Sequence, residues 1–299
     1  MKLGFAVPDA GAWATPANQI RIARQAEELG YESIWTLQRL LNPAGSPDQT
    51  YRAVPDPLIT LAYLAGHTSR IRLGVAVVNM PFYSPALLAK LAASLDQVSG
   101  GRLDLGLGLG WMAEEYAATG VPMRRRGARA DEFLIVLRRL FTEDISAYDG
   151  EFYAFPPVRM EPKPVQTPGP PLLIGGLSEG ALRRAGRFGD GWVSSSRADL
   201  SAMGASIAAV REAAEEAGRD PGALRFVCRG VTKVREHRDG LLSGSYDQIR
   251  QDFADLEGQG VTELFVDLNF DPEVGGPDVD PDASLRRAEE ALAEFSPAG

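Results

Sequence analysis

Two short stretches end apolar runs in groups that could hold an anion. In "PLLIGGLSEG", four apolar residues lead into Gly175-Gly176, then Leu177 and Ser178 open an amphipathic run. In "DGWVSSSR", an apolar pair leads into Ser194-Ser195-Ser196 and Arg197. Glycines let backbone N–H groups come close to a ligand oxygen, and a helix starting near Ser178 presents free N–H groups and its positive dipole end. That is the chemistry of phosphate binding. The same residues also read as a tight turn with Ser178 as helix cap, and spacing alone leaves both readings open. Arg197 suits a phosphate, the carboxylates of an acidic tail, or plain solvent. Asp190 reads as a local turn residue.

Groups for proton chemistry are sparse. The chain has two histidines, His67 and His237, and one cysteine, so a zinc site is not expected. Cys228 lies in the apolar run "LRFVCRGV" and reads as a small buried hydrophobe. A lone cysteine permits no internal disulfide and fits a reducing, cytoplasmic setting. Glu114 and Glu115 open a helix, where they either supply an acid or compensate the helix dipole. Tyr51 and Tyr83 are further acid candidates, and Lys233 is a weak Schiff-base candidate. Trp111 stands just after the glycine-rich "RLDLGLGLG", whose alternating glycines (Gly108 among them) invite close approach by a ligand or another backbone. His67 follows a helix and reads as structural.

The bulk numbers bound the partners. With 299 residues, 44% hydrophobic and 24% charged, the chain has the composition of a globular protein. A net charge of −9 argues against nucleic acid and anionic membranes, though not against a small anionic ligand. "MKLGFAVP" is too short for a signal-peptide core, and no run is long enough to span a membrane.

The elements that must position these groups alternate. Strands are expected at "KLGFAV", "YESIWTL", "IRLGVAVVN", "RLDLGLGLG", "PLLIGG", "DGWVSSS", "LRFVCRGVTKV" and "TELFVDLN". Helices are expected over 18–29, 56–66, 85–98, 127–141, after Ser178, and over 200–217, 245–258 and 283–295, by apolar spacing and capping. Eight such units predict a single (β/α)8 TIM-barrel domain over 1–299, with an insertion resembling a lid over about 111–170. An open doubly wound sheet is the rival, but no Gly-x-Gly-x-x-Gly turn follows the first strand.

Several segments resemble the luciferase-like flavin and deazaflavin oxidoreductases. They are "ARQAEELGYESIWTLQRLLNP", "TSRIRLGVAVVNMPFYSPALLAKLAASLDQVSGGRLDLGLGLGW", "RRRGARADEFLIVLRRLF" and "LLIGGLSEGALRRAGRFGDGWV". The likeness is nearest to the branch that depends on coenzyme F420, and it covers roughly Lys2 to Gly191. It implies a cofactor lying at the strand C-termini and propped by a bulge with a non-proline cis peptide, here at Ala76, Val77 and Val78. It implies Asn79 near the pyrimidine edge of the ring, and Gly175, Gly176, Leu177, Ser178, Ser195 and Arg197 around the phosphate and tail. It also implies a homodimer. The expected reaction is hydride transfer between C5 of F420 and a small organic substrate. The alternatives are an FMN-dependent monooxygenase and a non-redox barrel that binds a phosphorylated ligand.

The sequence departs from that branch at two places. Some members carry an Asp-His or Glu-His pair after the second strand and a Glu after the fourth. Here those sites read Thr36-Leu37-Gln38-Arg39 and Gly110-Trp111. Gln38 could orient a carbonyl, and Arg39 could hold an anionic substrate or the cofactor, or pair with a structural acid. Gln38, Arg39, Trp111 and Glu115 are therefore the expected catalytic set.

Overall fold

Four helices begin with one device, a capping side chain followed by proline: Thr15-Pro16, Asp56-Pro57, Ser84-Pro85 and Asp280-Pro281. The cap accepts an otherwise unpaired N–H, worth about 1 kcal/mol, and proline fixes the first helical φ. Such punctuation sets a regular alternation. The computed structural model describes residues 1–46 and 49–297. Its first half runs β1 (Lys2–Ala6), α1 (Pro16–Glu28), β2 (Ser33–Thr36), α2 (Pro57–Ala65), β3 (Arg72–Asn79), α3 (Pro85–Ser99) and β4 (Leu103–Gly108).

The inserted segment carries α4 (Ala113–Thr119), α5 (Arg126–Thr142) and an antiparallel hairpin of β5 (Ser146–Asp149) and β6 (Ala154–Val158). Glu132 on α5 ties the hairpin down by accepting the N–H groups of Glu151 and Phe152, each at 2.9 Å. The alternation then resumes with β7 (Leu172–Gly175), α6 (Glu179–Phe188), β8 (Gly191–Val193), α7 (Met203–Glu216) and β9 (Arg225–Val231). A small parallel pair, β10 (Lys233–Val234) and β11 (Ser243–Gly244), precedes α8 (Tyr246–Gly258), β12 (Glu263–Asp267) and α9 (Pro281–Glu294).

Eight parallel strands close in the order β1-β12-β9-β8-β7-β4-β3-β2, which is the expected TIM barrel. One expectation changes. The seventh barrel strand stops at Val231 rather than running through Val234, because Lys233 and Val234 pair with the side strand β11. Lys233 therefore stands off the barrel and outside the cavity described below.

The core has two parts. The larger lies between strands and helices and includes Ile34, Leu73, Val78, Leu107 and Phe226. The smaller fills the barrel with Ala6, Trp35, Ala76, Leu173, Val193, Val227 and Phe265. Trp35 stacks on Phe265 at 4.8 Å between centroids. Gly74 is needed for this, since a Cβ there would lie 2.4 Å from the Trp35 ring. The barrel floor is ionic: buried Asp104 accepts from Arg72 and Arg225, and Arg225 also donates to buried Glu263.

Candidate active site

The C-terminal ends of β2, β3, β4, β7, β8 and β9 surround one cavity of about 390 Å³. Its shelf is made by β3. The register of β3 against β4 shifts between Val75 and Val78, and the Ala76–Val77 peptide is cis. Glycines on the neighbouring strands leave room for this bulge. A Cβ on Gly106 would meet the Val75 carbonyl at 2.0 Å, and Cβ atoms on Gly108 and Gly175 would meet the Val77 side chain at 2.4 and 2.8 Å. The alternating glycines of β4 are thus required by the protein's own backbone and by Val77.

Ala76 and Val77 line the cavity, as does Asn79. Val78 does not: it is fully buried in the outer core, so the expected contact with a ring is corrected for this residue. The bulge sends neighbouring side chains to different sides. Gln38, just after β2, bridges the end of β3 and the turn that follows it: its Oε1 accepts the Asn79 N–H at 2.8 Å and its Nε2 donates to the Tyr83 hydroxyl at 2.9 Å. Both ends of its amide hold the wall together. Burial raises the Tyr83 phenol above its ordinary value, and it does not reach the cavity.

Gly175, Gly176, Leu177 and Ser178 form one corner, facing Ser195, Ser196 and Arg197. Gly176 has φ +122°, and its carbonyl accepts from Trp192 Nε1 at 2.8 Å. Ser178 caps α6 by accepting the Ala181 N–H at 3.3 Å, as the cap reading expected, and the same turn lines the cavity. Arg126, the first residue of α5, adds a cation to the wall that sequence reasoning missed.

Arg39 lies between two rings, with its guanidinium carbon 4.3 Å from the Tyr51 centroid and 4.9 Å from that of Trp111. Arg197 sits 4.9 Å from a Trp111 ring centroid. Trp111, 52% exposed, thus joins two arginines at the mouth. Arg39 Nη1 donates to Glu115 at 3.0 Å, and Glu115 also accepts the N–H groups of Leu40 at 2.7 Å and Leu41 at 3.3 Å. Glu115 is fully buried behind the wall, so it positions Arg39 and its loop, and the expected place among the reacting groups is corrected. Glu114 is exposed and outside the cavity.

A second buried arginine was also missed. Arg229 on β9 lines the cavity, donates to Asp267 at 2.6 Å and to the Ala76 carbonyl at 3.1 Å. Its signal was a cation inside the apolar strand "RFVCRGV". Asp267 accepts from Asn269, which in turn accepts the Asp9 N–H at 2.8 Å. Asp9 itself accepts the N–H of Leu37 at 2.5 Å, and its Oδ1 is buried without a partner. Burial pushes the Asp9 carboxyl up to about 8; the Leu37 N–H and Arg229 oppose this, and the negative Asp267 and Asp56 add to it.

The arrangement is a barrel mouth with an apolar shelf, a glycine–serine corner and a rim of arginines. The luciferase-like monooxygenase family model matches residues 2–266. The chain belongs to this family. An uncharacterized protein of Mycobacterium tuberculosis is 33% identical over 288 residues, covering 92% of this chain and 93% of the relative. An FMNH2-dependent dimethylsulfone monooxygenase of Pseudomonas putida is 33% identical over 183 residues, covering 60% of this chain and 48% of that protein. An F420-dependent secondary alcohol dehydrogenase, solved with an F420–acetone adduct, shares the fold with TM-score 0.79, 16% identity and 98% of each chain covered. Membership places the chain among luciferase-like oxidoreductases, whose relatives use a flavin or a deazaflavin. No helix among the described residues is long and apolar enough to cross a membrane.

Proposed function

We propose that this protein is an oxidoreductase that transfers hydride between C5 of coenzyme F420 and a small organic substrate at the barrel mouth. The observation that carries the reading is the Ala76–Val77 shelf, set on three glycines and facing the same cavity as the Gly176–Ser178 corner. The deazaflavin supplies two-electron hydride chemistry. Ala76 and Val77 support the ring from one side, and the α6 N-terminus takes the phosphate. Asn79 holds the polar ring edge. Arg126 and Arg197 extend the corner with two cations and suit an acidic tail. Trp111 and Arg39 close the other side and exclude water.

A second reading, an FMN-dependent monooxygenase, is favoured by one feature. Among the described residues the cavity wall holds no histidine and no carboxylate to exchange a proton with substrate. The test is titration of the purified protein with oxidised F420 and with FMN, followed by fluorescence and visible spectra. Tight F420 binding that weakens about tenfold in Arg126→Ala and in Arg197→Ala supports the first reading. FMN binding alone supports the second, and binding of neither leaves a non-redox barrel.

We also propose a homodimer through neighbouring α2 and α3. Their outward faces expose Ile59, Tyr63, Leu87, Leu91 and Val98, an apolar face that a second copy would bury isologously. Light scattering should give twice the chain mass, and Leu87→Asp/Leu91→Asp should give a monomer. The buried single thiol is in keeping with a cytoplasmic setting.

A further inference from the structure

Four charged side chains line the cavity among the described residues, and all are arginines: Arg39, Arg126, Arg197 and Arg229. Two are matched by carboxylates behind the wall, Arg39 by Glu115 and Arg229 by Asp267. No ion pair is formed by Arg126 or Arg197 among the described residues. The wall therefore carries excess positive charge in a chain whose net charge is −9. Arg126 and Arg197 border the phosphate corner. Arg39 and Arg197 both approach Trp111, and of these two Arg39 is the one paired with a carboxylate.

Arg39 is unusual in a second respect. Its side chain is 6% exposed, yet Nε has no hydrogen-bond partner. Buried donors are nearly always paired, and a charged donor left unpaired in low dielectric is the costliest kind. Glu115 takes one of the two terminal nitrogens and two backbone N–H groups, and does not reach Nε. The guanidinium carbon also lies within cation–π distance of both Tyr51 and Trp111, which favours one placement of the group. Leu37 and Leu109 line the same cavity and offer apolar surface.

We propose that the substrate is a small organic oxyanion, a carboxylate or sulfonate with an apolar body, and that the cavity-lining guanidinium of Arg39 selects it by donating to an anionic oxygen. A planar guanidinium binds such groups through paired N–H donors. In this arrangement Arg39 orients the substrate. The word substrate rests on the proposed oxidoreductase reading; selection of the anion does not.

Calorimetric titration tests this with acetate, hexanoate and benzoate, each beside its neutral amide. Wild-type protein is expected to bind at least one anion about tenfold or more tighter than its amide. Removing Arg39 alone would strand a buried carboxylate, so the variant is Arg39→Met/Glu115→Gln, which removes both charges together. It should bring anion and amide to within about twofold while F420 or FMN binding persists. Arg197→Ala should weaken the cofactor and leave the anion preference. The proposal is overturned if no anion is preferred over its amide or if the preference survives the double substitution. It is also overturned if the preference falls only in Arg197→Ala, or if bound cofactor displaces the anion one for one. Failure of both cofactors to bind, with the Arg39-dependent preference intact, would remove the redox reading and leave the anion site standing.

Discussion

Replacing Asp9 by asparagine should stabilise this protein near neutral pH. Asp9 is buried, shares its surroundings with negative Asp267 and Asp56, and has its carboxyl pushed from 3.8 up to about 8. The folded state thus keeps a proton that the unfolded chain releases above pH 3.8. The sign follows: the folded form is favoured most below the unfolded pKa, and this contribution is lost as pH rises toward the folded one. The loss is about 1.4 kcal/mol per pH unit, hence about 4 kcal/mol by pH 7. Asparagine keeps the acceptor for the Leu37 N–H and resembles the protonated acid in shape, but has nothing to titrate. Urea unfolding of wild type and Asp9→Asn from pH 4 to 9 measures the difference directly. It should be near zero at pH 4, grow through pH 7 in favour of the variant, and level off above pH 8. A variant less stable than wild type at pH 7, or a difference that does not change with pH, would refute the reasoning and show Asp9 charged in the fold.

Gly108→Ala should drive Val77 from its seat, because the new Cβ would stand 2.4 Å from Val77 Cγ2; cofactor binding should weaken, and Val77→Ala in the same chain should restore it. Asp104→Asn should cost about 3–5 kcal/mol in thermal or urea unfolding, since it leaves Arg72 without its carboxylate and Arg225 with Glu263 alone as a buried counter-charge. Burial works to raise the Asp104 carboxyl, but the two arginines hold it below its ordinary value, so its contribution is present above the unfolded pKa and is lost as pH falls through the lowered one. Burial pushes the Cys228 thiol up to about 12, so a thiol reagent at pH 8 should react only after unfolding.

The barrel was legible because its units are punctuated locally. Apolar period, capping residue and proline agree at Asp56-Pro57 and Ser84-Pro85, so those helices begin where expected. The corner at Gly175–Ser178 and Ser195–Arg197 was legible as cavity lining because these residues end two successive barrel strands on one rim. Val78 was misplaced because a bulge breaks the alternation by which a strand's faces are counted. Arg229, Arg126 and Asp9 were missed for a different reason. Arg229 acts through Asp267 and the Ala76 carbonyl, Asp9 through the Leu37 N–H, and Arg126 reaches the cavity from the start of an inserted helix; one-dimensional spacing carries no record of such neighbours.

The arginine rim also sets how an anion would arrive. Beyond a Debye length, about 8–10 Å at ordinary ionic strength, an approaching anion meets the repulsive field of a chain with net charge −9. Within that distance it meets, among the described residues of the cavity wall, four guanidinium groups and no carboxylate. Capture is thus a low hill followed by a deep well, and added salt acts on the two in opposite senses. It lowers the hill and speeds entry; it makes the well shallower and speeds escape. Association and dissociation should both quicken as salt rises, so an equilibrium constant alone would conceal most of the electrostatics.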